Sequence, residues 1–319
     1  MKTAIHIYQR SEGHVVMFYT RSDLLSFYTI LSICAKKAGI RVLAAALMYD
    51  HIHILVEASS REEITAFVQS YSSLYALEYN KDSGLHGRVF ESSFGSALKR
   101  GDKEIRTCAG YIYNNHTNKK LCAGAEDIRW NFLAYAHSRN PFSTPIKRDR
   151  VSKRMRAAIA VVEAEHRASR PLNHATLRRV FAGLSKTESD QLTDFIIDKY
   201  RFVDYAALES LYRSYEEMVY SFNANTFNDY DIKEDSRDRR GDDTVFREMA
   251  KYISSREFFR TLKDLLTSPE TIRLGLATEL KVVTGATWRQ IGAYLRMKLR
   301  AARPEDPGFY PENDYLCMI

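Results

Sequence analysis

A chain of 319 residues has room for about two domains, and its 45% hydrophobic residues suffice for packed cores. With 47 Lys+Arg against 40 Asp+Glu it carries +7, a surplus compatible with a nucleic-acid partner but too modest to decide for one. No window approaches ~18 consecutive apolar residues, so no membrane span or membrane partner is expected. The N-terminus runs straight into a predicted strand without a signal-peptide layout. Cys34, Cys108, Cys122 and Cys317 show no Cys-x-x-Cys spacing and read as reduced thiols, which together with the missing leader gives a cytoplasmic expectation. There is no glycine-rich phosphate loop and no internal repeat.

In chain order, Ala4–Gln9 and His14–Tyr19 read as strands, Ser22–Lys37 as a helix and Arg41–Met48 as a strand. His51–Val56 continues the sheet after a kink at Tyr49-Asp50, and Arg61–Tyr79 and Lys103–Tyr113 read as helices. This order suits an α+β fold, an antiparallel sheet covered by helices. Asn140-Pro141-Phe142-Ser143-Thr144-Pro145 marks a boundary, which gives a first domain at 1–140 and a second at 146–319. The second is expected to be all-helical: Val151–Arg167, Asn173–Leu184, Thr187–Tyr200, Tyr205–Phe222, Thr244–Leu266 and Ser268–Thr284. Pro269–Thr284 and, after Gly285, Thr287–Leu295 look like the first helices of a helix-turn-helix, although Pro304 leaves Lys298–Arg303 short for a recognition helix. An ordinary helical bundle with a basic face fits that stretch equally.

The chemistry concentrates in two short segments. Residues two apart on a strand share a face, so His51 and His53 present two imidazoles side by side, a spacing that suits two ligands of a divalent metal. Alone, such a pair is also compatible with satisfied sheet histidines. Downstream, Tyr111 and Asn115 stand four apart on one helical face, as a nucleophile beside a metal ligand would, or as a packing tyrosine and a capping asparagine. Tyr71, Tyr75 and Tyr79 form a stripe at helical spacing, which is core packing rather than catalysis.

Together these segments resemble the HUH single-strand DNA endonucleases, and among them the single-tyrosine transposases of the REP-associated and insertion-sequence type. The strand Met48-Tyr49-Asp50-His51-Ile52-His53-Ile54-Leu55-Val56 is similar to their Met-Pro-Asn-His-x-His signature, followed by Gly87-Arg88-Val89-Phe90 and Phe94. Tyr111-Ile112-Tyr113-Asn114-Asn115 is similar to their Tyr-Ile-x-x-Asn-Pro. The likeness covers roughly residues 1–135. Tyr49-Asp50 replaces Pro-Asn, and His116 replaces the proline after the asparagine. The resemblance implies an HUH-type domain in which Tyr111 attacks a DNA phosphate while His51, His53 and Asn115 hold Mg²⁺ or Mn²⁺. It implies retention of the 5′ end on the tyrosine and release of a 3′ hydroxyl, on single-stranded or hairpin DNA, by a monomer or homodimer associated with the nucleoid. A regulator that binds hairpins without cleaving, or a replication initiator or relaxase-type nickase, shares parts of this pattern.

Basic residues are placed where DNA flanks would need them. Lys147, Arg148, Arg150, Lys153, Arg154 and Arg156 form a run after the first domain, and Arg289, Arg296, Lys298 and Arg300 form a second group. Arg88 joins them from the glycine-containing segment. An acidic stretch at Asp229–Asp243 reads as a solvated linker.

Overall fold

The chain is seen in a computed structural model that describes residues 3–147, 149–224, 242–256, 264–301 and 316–318, with side chains described through Leu299. Its sheet has four antiparallel strands, β1 (Thr3–Arg10), β2 (Arg41–Leu47), β3 (His51–Ala58) and β4 (Gly95–Lys99), in the order β2-β3-β1-β4. Helix α1 (Arg21–Ala38) opens on a capping box between Thr20 and Asp23 and closes at Gly39, whose φ of 64° suits a residue without a Cβ. Helix α2 (Arg61–Ser83) starts at Ser60, whose hydroxyl accepts from the Glu63 amide.

Strand periodicity divides the sheet into two faces. Ile7, Ile52, Ile54, Val56, Val42, Ala45 and Leu47 belong to one core with α1 and α2, and this core takes in Tyr71, Tyr75 and Tyr79, as their spacing predicts. The opposite face carries His6, Tyr8 and Arg10 on β1 beside His51 and His53 on β3. On β2 the core of this face takes Leu43, at a register shift, and the small side chains of Ala44 and Ala46, paired with Leu55 and His53. Those small side chains let helix α3 (Gly101–Asn118) lie close, packing Cys108, Ala109 and Ile112 against them.

The later helices divide between this body and a third core. Helices α4 (Lys153–Arg167), α5 (His174–Phe181) and α6 (Lys186–Lys199) send Met155, Ile159, Val162, Leu177, Ile196 and Tyr200 into the same core as α1 and α2. His174 anchors α5: its Nε2 lies 2.9 Å from Asp23 Oδ1, and its backbone amide donates to Glu78. The single helix expected over 205–222 is two, α7 (Tyr205–Glu209) and α8 (Tyr215–Ala224), because the Ser214 hydroxyl and carbonyl take the first amides of a new helix. Helix α8 packs under α3, where Asn114 Nδ2 donates to the Phe222 carbonyl at 2.7 Å.

Helices α9 (Thr244–Ser254), α10 (Glu270–Thr284) and α11 (Trp288–Leu295) build the third core around Met249, Ile253, Leu280, Ile291 and Leu295. The strand expected at His14–Tyr19 is the seat of this module. Val16 enters the third core while Met17 and Phe18 enter the first, so the apolar run serves two cores rather than one sheet face. The Val16 amide donates to Ala293 O, and Met17 and Phe18 both donate to Tyr49 O. The helix expected to run to Leu266 ends at Ser254, with a 3-10 turn at Asp264–Thr267. Beyond α11, Arg296 turns left-handed (φ 53°), and Leu299–Ala301 forms a strand, β5, paired with β6 (Leu316–Met318) in place of a recognition helix. Most of the acidic stretch at 229–243 lies outside the described residues. Among the described residues, no helix is long and apolar enough to cross a membrane.

Candidate active site

The two faces of β3 decide what its histidines can do. The β1–β3 register sets Tyr8 opposite His53 and Arg10 opposite His51, so five polar or aromatic side chains converge on the face that α3 covers. The rings of His51 and His53 lie 5.0 Å apart and perpendicular, and that of His53 lies 5.3 Å from Tyr111. His6 stacks on His53 at 5.2 Å and meets Tyr111 edge-on at 6.0 Å. The structure therefore brings together three of the four residues singled out for chemistry, His51, His53 and Tyr111. Asn115 sits one turn beyond Tyr111, with its Nδ2 donating to the Tyr111 carbonyl, so its amide oxygen is the atom left to act as a ligand.

Each histidine is held through Nδ1. Asp50 Oδ1 lies 2.6 Å from His51 Nδ1, and His6 Nε2 lies 3.0 Å from His53 Nδ1. With its Nδ1 proton donated to the carboxylate, His51 keeps its lone pair on Nε2. With His53 donating to His6, its Nε2 lone pair is kept as well. Burial, aided by the charge of neighbouring His51, keeps His53 well below the ordinary histidine range, and burial with Lys99 pushes His6 down to about 3. An imidazole oriented by a partner at one nitrogen can present the other to a metal, so the donor set fits a divalent ion. Burial opposes ionisation of Asp50, but the His51 charge and hydrogen bond, with Arg10 and Lys119, outweigh it and hold the carboxyl at about 2. Among the described residues no three His, Cys, Asp or Glu side chains gather as a metal-binding group.

Access is from one side. Tyr111 is 3% exposed and His53 fully buried, while His51 opens into a cleft of about 550 Å³. The body contributes His14, Asp50 and Lys119 to that cleft, and the third-core module contributes Asp243, Phe246 and Arg289. Burial pushes Asp243 up to about 6, against the pull of Lys119.

The basic residues expected at DNA are distributed unevenly. Arg289 lines the cleft beside His51. Arg296 is turned inward, donating to Val16 O at 3.1 Å and to the Tyr79 hydroxyl at 3.0 Å, and it clamps the module rather than facing solvent. Arg88, Lys147, Lys153 and Lys298 are exposed. Arg150 pairs with Asp149, Arg154 reaches Gly183 O, and Arg156 reaches Val151 O. Arg148 and the Arg300 side chain lie outside the described residues. The sequence reading passed over His6, Tyr8, Arg10, Asp50 and Lys119; the alternation His6-x-Tyr8-x-Arg10 was the signal, legible only once β1 is known to pair with β3.

The family model for IS200-like transposases matches residues 2–115, a segment that holds His51, His53, Tyr111 and Asn115. Over residues 2–115 the chain is thus similar to the IS200-like transposases. Two solved structures are similar to the chain. One is a REP-associated tyrosine transposase bound to a REP hairpin, at 12% identity and a TM-score of 0.35, over 46% of this chain and 91% of that one. The other is a candidate transposase from Deinococcus radiodurans, at 17% identity and a TM-score of 0.28, over 33% of this chain and 85% of that one. No curated protein matches the chain. The matched segment ends within α3, and α4, α5 and α6, which lie beyond it, pack into the same core as α1 and α2.

Proposed function

We propose that this transposase-like domain cleaves and rejoins single-stranded DNA through Tyr111, on strands carrying a hairpin. The observation that carries the reading is the placement of the Tyr111 ring 5.3 Å from His53, across from two histidines whose Nδ1 atoms are both engaged. The Tyr111 hydroxyl attacks phosphorus, the bond to O3′ breaks, and a 5′-phosphotyrosine remains while the phenol proton goes to water and O3′ is protonated. A Mg²⁺ or Mn²⁺ held by His51, His53 and Asn115 supplies charge neutralisation at the phosphate when bound. Rejoining to another 3′ hydroxyl reverses the step without an external energy source.

The residues of this chain do the positioning. Asp50 and His6 fix the two imidazoles, and Lys119, Arg289 and His14 line the cleft by which a phosphodiester would arrive. Because Tyr111 is enclosed, entry of DNA requires α3 or the α9–α11 module to shift. A labelled hairpin with single-stranded flanks should be nicked in the presence of Mn²⁺ and become attached to the protein through a denaturant-resistant bond. Tyr111→Phe should abolish both while leaving hairpin binding within about twofold, since one hydroxyl is lost. An adduct in the phenylalanine variant would move the nucleophile elsewhere, and hairpin binding without any nicking by the wild type would leave a DNA-binding regulator.

A further inference from the structure

A second cavity, of about 270 Å³, adjoins the turn that leads into the catalytic strand. Met48, Leu121 and Ile128 form a small buried cluster, and Tyr49 and Trp130 pack against it. His116 is also among the lining residues; it is 2% exposed, and its Nε2 donates to the Leu47 carbonyl at 3.0 Å. That bond leaves Nδ1 as a buried acceptor with no hydrogen-bond partner among the described residues. Arg21 and Arg247 also line the cavity. Arg21 meets Asp190 through one nitrogen, and Arg247 donates to the Leu121 carbonyl and hydrogen-bonds the Tyr49 side chain.

We propose that this cavity receives one unpaired base of the DNA strand being processed, stacked on Trp130 and offering an N–H to His116 Nδ1. The proposal rests on the single-strand DNA reading above. Aromatic faces with a hydrogen-bonding group behind them are how proteins hold splayed-out bases, and guanidinium groups at the mouth suit the attached phosphate. Position supports it as well: Met48-Tyr49 line this cavity and Asp50-His51 line the catalytic cleft, so a nucleotide beside the scissile phosphate reaches it. The parts are this chain's own. Tyr49 and His116 are departures from the resembling pattern, and Leu121, Ile128, Trp130 and Arg247 lie beyond the matched segment.

The test uses the full chain carrying Trp288→Phe, so that Trp130 is its only tryptophan. Titration with the four deoxynucleoside 5′-monophosphates should quench Trp130 saturably for at least one base. Binding of 2-deoxyribose 5-phosphate, followed by ligand-detected NMR, should be at least about tenfold weaker, since base stacking is worth ~1–3 kcal/mol. Followed by ligand-detected NMR, nucleotide binding should weaken about tenfold in Trp130→Leu and be largely kept in Trp130→Phe, with circular dichroism confirming that both fold. A trinucleotide should bind more tightly than any monomer. Equal binding of the sugar phosphate, absence of saturation by all four nucleotides, or a monomer that outbinds the trinucleotide would each overturn the proposal. Nicking of hairpin DNA is scored separately. Nicking without base binding would fall on the cavity alone, and base binding without nicking would fall on the catalytic reading alone.

Discussion

Asp50 shows how a single side chain sets the state of the site. Its carboxylate, 2.6 Å from His51 Nδ1, fixes the tautomer that leaves Nε2 with a lone pair. Asp50→Ala should therefore weaken Mn²⁺ binding about 10–100-fold by calorimetry, the usual consequence of removing such a partner. Asp50→Asn, which keeps an acceptor but loses the charge, should fall between. Unchanged affinity in the alanine variant would mean that His51 needs no orienting group. Asp243, across the cleft, titrates the other way. Its folded pKa of about 6 exceeds the unfolded 3.8, so between those values the folded state holds more protons and stability falls as pH rises. Burial and the charge of Asp50 and Asp242 raise it, while Lys119 and His51 lower it. Asp243→Asn should accordingly raise stability at pH 7 by on the order of 1–3 kcal/mol and flatten the slope between pH 4 and 6 in urea unfolding. A wild-type curve that rises over that interval would contradict the raised Asp243.

At the scale of elements, what the sequence shows is periodicity, and what it hides is which surface a pattern serves. The two-residue period of His51–Ala58 is plain, and so are Tyr111 and Asn115 on one helical face, because each depends on local geometry alone. Strand β4 was missed: among the described residues Gly95-Ser96-Ala97-Leu98-Lys99 pairs with β1 alone, and its exposed positions carry no apolar alternation. The run at His14–Tyr19 was misread for the opposite reason, since its apolar residues divide between two cores. The chain leaves the helical path at Arg296, whose left-handed turn is stabilised by contacts with Val16 and Tyr79 more than two hundred residues away in sequence. Gly292 makes that turn possible. A Cβ there would stand 2.6 Å from the Met297 carbonyl, whose own amide donates back to Gly292 O. Gly292→Ala should destabilise the α9–α11 module by about 1–3 kcal/mol, as overpacking against backbone does. Hydrogen exchange should show the loss in residues 244–295 and leave β1–β3 protected; uniform exchange across the chain would mean that the module and the body unfold as one.

For the whole molecule, packing changes what truncation can be expected to do. The proline-containing stretch at 140–145 reads as a boundary, yet Met155, Ile159, Val162, Leu177, Ile196 and Tyr200 fill the same core as Tyr28, Leu31 and Tyr75. A chain ending near Phe142 would expose that apolar face of α1 and α2 and lose the His174–Asp23 contact. It should be insoluble or largely unfolded, because large apolar surfaces left uncovered drive aggregation. A chain ending at Ala224 is different. It keeps α4–α8 and the contact between Asn114 and Phe222, and removes the third core, from which the body contributes Val16 with Tyr19 and Tyr49 packed against it. This shorter chain should fold, with a melting temperature within several degrees of the full protein. It also lacks Asp243, Phe246 and Arg289, so the cleft at His51 loses one wall. If that wall restricts entry to Tyr111, nicking of saturating hairpin DNA should rise severalfold while affinity falls, because a cationic contact is lost along with the cover. A log–log plot of affinity against salt would then be shallower for the shorter chain. Equal nicking rates and equal salt slopes would assign the module to a role away from the catalytic cleft.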